Sequence, residues 1–164
     1  MKKIFILLLI SLFFSGCERD DICDAATPTT PKIVIEFYDI ANPTVLKNVV
    51  NLGVIAPGFT NGFGFTNVSN IKVPLKTTQD SSVLYFIQNG SADPTTDDNS
   101  DEITFNYTRK IEFVSRACGY KTLYTLDPTN PVAVTPDSGN WIQNVIVSQP
   151  NIENENETHV KIYF

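Results

Sequence analysis

From Lys32 onward, apolar and polar positions alternate with a period of two, the signature of half-buried strands. Lys32 to Tyr38 sets Ile33, Ile35 and Phe37 on one face against Val34, Glu36 and Tyr38 on the other. Comparable runs occupy 44–55, with a break near Asn51, then 70–75, 82–88, 102–114, 120–126, 141–148 and 158–164, which predicts eight strands. Asn-Pro, Asp-Pro and Asn-Gly pairs lie between the runs, among them Asn42-Pro43, Asn61-Gly62, Asn89-Gly90 and Asp127-Pro128. Proline fixes φ and Asn or Gly tolerates the left-handed region, so these are turns. No long amphipathic helix is predicted. Short strands at this spacing point to an all-β chain folded as an antiparallel β-sandwich, immunoglobulin-like or related. Val83 to Ile87 is apolar on both faces and belongs at the centre of a sheet. Ile103, Phe105, Tyr107, Ile111 and Phe113 share one parity and are expected to face the core, with a bulge at Arg109.

The first residues follow another pattern. Met1-Lys2-Lys3, the apolar run Ile4 to Phe14 and Ser15-Gly16-Cys17 make a charged start, a short hydrophobic stretch and a small-residue cleavage site. The run is short of the ~20 residues that span a bilayer as a helix. Residues 1–16 are therefore expected to be a signal peptide. Phe14-Ser15-Gly16-Cys17 resembles the lipobox of bacterial lipoproteins, which implies diacylglycerol on Cys17 and a membrane anchor. Residues 17–31, with Thr27-Pro28-Thr29-Thr30-Pro31, read as an extended tether, leaving 32–164 as one β-domain.

Charge narrows the partners. Cleavage before Cys17 leaves 148 residues with ten Lys and Arg against 18 acidic groups, a formal charge of −8. With no basic stripe, nucleic acid is not an expected partner. With Cys17 lipidated, Cys23 and Cys118 are the remaining two of three cysteines. In an oxidising compartment they are expected to form a disulfide.

Few residues suggest chemistry. Asp97-x-Asn99-x-Asp101 copies the first half of a calcium loop, but Glu102 replaces its glycine and Thr108 its bidentate Glu. An EF-hand is ruled out; a solvated acidic turn is expected, with Asp97, Asn99 and Asp101 as the candidate calcium ligands and no other cofactor. The lone His159 alternates out of phase with Val160, Ile162 and Phe164 and is expected on a strand surface. Gly-x-Ser-x-Gly, His-Glu-x-x-His and Walker motifs are absent from the sequence, so no enzymatic activity is expected. The glycine-rich run 58–65 places Phe59, Phe63 and Phe65 in a mobile loop, expected to plug one end of the sandwich, with contact to a protein or glycan partner as the alternative. Trp141 is expected in or at the edge of the core, with a sugar-stacking platform as its alternative.

Several segments together resemble an uncharacterised lipoprotein family of Bacteroidetes-type bacteria, known as a domain of unknown function. They are Cys17 to Cys23, Thr29-Thr30-Pro31 with Ile33 to Asp39, Pro74 to Thr77, Phe113 to Gly119, Trp141-Ile142, and Ile152 to Glu155 through His159-Val160. The resemblance transfers no activity. It does imply an anchor in the outer membrane, with Glu18, Arg19, Asp20 and Asp21 acting as an export signal that displays the domain on the cell surface, retention on the periplasmic face being the alternative. The overall expectation is a lipid-anchored, non-enzymatic interaction or structural module, or else a glycan- or ligand-binding accessory of an outer-membrane uptake system.

Overall fold

The structure, a computed structural model, describes residues 22–90 and 97–164. Among the described residues eleven strands run in chain order: β1 (Ile33–Tyr38), β2 (Leu52–Ile55), β3 (Phe63–Phe65), β4 (Asn70–Val73), β5 (Ser81–Gln88), β6 (Asn99–Ser115), β7 (Gly119–Leu126), β8 (Val132–Val134), β9 (Asn144–Val147), β10 (Asn151–Ile152) and β11 (Val160–Tyr163). They form two sheets, ordered β4-β1-β11-β9 and β10-β7-β6-β5-β2-β3, with β8 pairing β6 beside the second path. The chain is an all-β sandwich. One pairing departs from the antiparallel expectation: β1 and β11 run parallel, Ile35 opposite Val160 and Phe37 opposite Ile162.

The alternation in β1 and β11 fills one wall of the core with Ile33, Ile35, Phe37, Val160 and Ile162. Leu84, Phe86, Ile103, Phe105, Tyr107 and Tyr124 build the opposite wall. β5 lies between β2 and β6, as its two apolar faces predict. The run 44–55 breaks where expected, at Asn51 with φ 52°, and before it only isolated bridges at Leu46 and Val49 remain. Eight strands become eleven because β3, β8 and β10 are two or three residues long, too short to show a period. β8 continues the line of β7 along one edge of β6, after an excursion from Asp127 to Pro131. Asp127 holds that excursion by accepting the Thr129 and Asn130 N–H groups on Oδ1, both at 2.8 Å. These two bonds draw its carboxyl below the usual range.

Three expectations about individual residues are corrected. Ile111 and Phe113 share the parity of Phe105, yet they are 65% and 59% exposed, because their half of β6 and its partner β7 extend beyond the core as a hairpin. The irregularity in β6 falls between Phe113 and Ser115 rather than at Arg109. Arg109 keeps the regular register opposite Tyr124 and donates to Asp80 at 2.6 Å.

The third correction concerns His159, which is buried at 1% exposure rather than lying on the surface. Its backbone N–H donates to the Val34 carbonyl at 3.0 Å, and its Nδ1 accepts the Val34 N–H at 2.9 Å. The imidazole thus satisfies a strand N–H that a neighbouring carbonyl would otherwise take. Burial pushes its pKa below the ordinary 6.5, against the opposing charges of Glu157 and Glu155. A lowered folded-state pKa means that the unfolded chain takes the proton first. The stability contributed here is therefore complete above pH 6.5 and is lost as pH falls through the lowered value. Melting temperature is expected to decline on mild acidification in the wild type and less steeply in His159→Gln. Equal slopes for the two proteins in a thermal scan across pH would contradict this role.

Candidate functional site

An apolar pocket of about 450 Å³ opens where the β2–β3 hairpin faces the segment joining β4 to β5. Its walls take residues from three strands, among them Val54 of β2, Val73 of β4 and Leu84 of β5, with Leu75 between the last two. Phe59 and Phe63 line it from the glycine-rich run. The backbone there follows from the glycines. Gly58 sits at φ +82°, and at Gly62 a side-chain carbon would collide with the Val54 carbonyl, so only glycine lets the chain lie this close to β2. Phe63–Phe65 then pairs with Leu52–Val54.

This corrects the expected loop. Phe63 and Phe65 belong to a strand, and only Phe65 packs half-buried against the core. Phe59 and Phe63, 69% and 53% exposed, stand at the pocket instead of plugging the sandwich.

The wall formed by Pro74, Leu75 and Lys76 is held rigid from below. Tyr107 donates its hydroxyl proton to the Lys76 carbonyl at 2.9 Å and shares a 2.7 Å hydrogen bond with Ser82. Ser82 Oγ accepts the Lys76 N–H at 2.8 Å, and Tyr124 donates to the Leu75 carbonyl at 3.2 Å. The two tyrosines meet edge to face at 5.1 Å. Burial raises both phenol pKa values, that of Tyr124 to about 12, so both stay protonated donors at neutral pH. Ser82 is spent inside this network, and among the described residues Lys76 is the one charged residue in the pocket lining. The chamber suits the capture of an apolar group.

The remaining candidates fall elsewhere. Cys17 and Glu18 to Asp21 lie outside the described residues. Cys23 and Cys118 are joined as a disulfide, with Cα atoms 4.9 Å apart. Trp141, 6% exposed, is no sugar platform. It packs on Phe37 and Phe164, and its Nε1–H donates to the Phe86 carbonyl at 3.1 Å. The calcium triplet does not assemble. Asp101 is fully buried and spends both oxygens on the Trp141 and Ile142 N–H groups, at 3.4 and 2.8 Å. Asn99 donates to the Gly139 carbonyl, and Asp97 accepts from Asn89. Among the described residues, no three His, Cys, Asp or Glu side chains gather as a metal site. Sequence reasoning missed the pocket because its walls come from strands distant in the chain; the Gly-Phe run was the only local sign.

No curated protein and no solved structure matches the chain. Cys118, β5 and β11 fall inside the span that matches a known family, while their partners Cys23, β2 and β1 precede it. That span, residues 59–164, matches the family of unknown function DUF6452 over more than half of the sequence, and the chain belongs to this family.

Proposed function

We propose that this protein is a bacterial lipoprotein anchored through Cys17 in the outer membrane, where its β-sandwich serves as a non-enzymatic interaction module, displayed on the cell surface by the Glu18 to Asp21 signal. The observation that carries this reading is the disulfide. A bond between Cys23 and Cys118 needs an oxidising compartment, as the export signal implies, and it ties the domain to the chain six residues after the lipobox cysteine. One acyl chain, at ~0.8 kcal/mol per buried CH₂, holds a protein only marginally, whereas the diacylglycerol on a lipobox cysteine gives two. The module therefore stays on the membrane.

The apolar pocket favours a second reading, a ligand-binding accessory of an uptake system. Its lining suits an acyl or other aliphatic group better than a sugar, whose hydroxyls would find few partners there.

One pair of strains tests both readings. The full chain is expected in the outer-membrane fraction and to be degraded by protease added to intact cells. A chain with residues 1–17 exchanged for a cleavable secretory leader is expected in the soluble periplasm. Recovery of both in the same fraction would overturn the anchor, and protection of the full chain on intact cells would place it on the periplasmic face. Solvent extraction of the soluble form would carry an aliphatic molecule if the pocket is loaded, and none if the second reading is wrong.

A further inference from the structure

The β6–β7 hairpin combines three features that the fold does not require. Its overhanging face presents Ile111, Phe113 and Tyr120 at 65%, 59% and 70% exposure, the two rings in an edge-to-face pair at 5.3 Å. By strand alternation Lys110, Glu112 and Lys121 project from the opposite face of the hairpin, and Arg116 lies in its turn. Glu112 contacts both lysines, at 2.7 and 3.4 Å, and Asp24 beside Cys23 adds a second carboxylate at the tip. The tip is also where the disulfide attaches. Cys118 lies two residues from Tyr120, and Cys23 brings with it Ile22, 81% exposed.

We propose that this hairpin is a membrane-contact element that rests on the acidic bilayer surface holding the protein's own acyl chains; it builds on the Cys17 anchor proposed above. Six residues from Cys17 to Cys23 span at most ~20 Å even when fully extended. A lipid on Cys17 therefore keeps the bonded hairpin tip within ~20 Å of the bilayer, whatever path those residues take. The chemistry at the tip matches the headgroup region. Tyrosine rings prefer the interface between headgroup and acyl chain, isoleucine and phenylalanine enter its apolar side, and Arg116 in the turn meets anionic headgroups. Without the disulfide, the tether from Cys17 to Pro31 would let the same domain stand well clear of the bilayer. The bond thus fixes which face of the sandwich looks at the membrane, and it leaves the β2–β3 pocket rim off that contact.

The test uses the full lipidated protein in phosphatidylethanolamine and phosphatidylglycerol vesicles that carry brominated acyl chains. A Tyr120→Trp variant places a reporter on the contact face, and Phe59→Trp places one on the pocket rim; Trp141 is buried in both. Emission from Tyr120→Trp is expected to shift to the blue and to be quenched several-fold more than emission from Phe59→Trp. Equal quenching in protein that co-sediments with the vesicles would overturn the contact while leaving the anchor intact. Failure to co-sediment, with no lipid mass on Cys17, would overturn the anchor and this inference with it. A concentration-dependent blue shift of Tyr120→Trp without vesicles would assign the face to a second copy of the chain instead.

Discussion

Replacing Cys118 by Ser is expected to lower the unfolding free energy by about 4–5 kcal/mol, the loss predicted when a cross-link closing a loop of this size is removed from the unfolded chain. The bond joins residues 95 apart in sequence, so its absence restores nearly the full conformational freedom of the unfolded ensemble. Against the 5–15 kcal/mol that holds a typical domain folded, this is a large share. The folded state is affected mainly at its edge. Segment 22–31 touches the hairpin through the disulfide and through Thr30 Oγ1, which accepts the Thr122 N–H at 2.9 Å. Denaturant midpoints for Cys23→Ser, Cys118→Ser and the double variant should therefore coincide, all well below wild type, and protease should cut the reduced protein first before Lys32. Single variants within about 0.5 kcal/mol of wild type, the range of an ordinary surface change, would contradict this.

The second large effect is expected at Asp101. Trp141 and Ile142 leave the seven-stranded sheet on the way to β9 in the other one, and their N–H groups have the buried Asp101 carboxyl as partner. Asp101→Ala removes the acceptor and strands two buried donors, at about 1–3 kcal/mol each. A total of about 3–5 kcal/mol follows, since bonds to a carboxyl group lie toward the upper end of that range. Asp101→Asn keeps one acceptor but turns an amide donor toward the other N–H, so an intermediate loss is expected. Asp97→Ala, at an exposed position, should change stability by less than about 0.5 kcal/mol. Trp141 is the only tryptophan, so its emission reports this crossing directly: Asp101→Ala should redden it and lower the melting temperature together. A stable Asp101→Ala with unshifted emission would mean that the crossing is held by the Trp141 ring alone.

Where a strand carries its own alternation, the sequence was legible: Ile33, Ile35 and Phe37 in β1, Leu84 and Phe86 in β5, and Ile103 and Phe105 in β6 all face the core as their parity requires. Parity cannot say where the core ends, which is why Ile111 and Phe113 keep the right phase and still face solvent. Nor does a two-residue period count backbone donors, so His159 was read by its side-chain phase and missed as the partner of Val34. At Asp97 to Asp101, ligand spacing resembled a calcium loop because strand alternation also separates acidic residues by two; on a β-strand such residues share a face, and here Asp101 turns inward to cap a chain crossing. The disulfide was legible by elimination among three cysteines. The pocket was not, because Val54, Val73 and Leu84 meet only through the pairing of β2 with β5 and the stacking of the sheets.

Intact mass spectrometry of the protein purified in detergent from outer membranes measures directly what Cys17 carries. The expected mass is that of a chain beginning at Cys17, bearing diacylglycerol on its sulfur, and lighter by two hydrogens for the Cys23–Cys118 bond. A chain that retains residues 1–16, or one cleaved there with an unmodified Cys17, would contradict the anchor and the membrane-facing hairpin together.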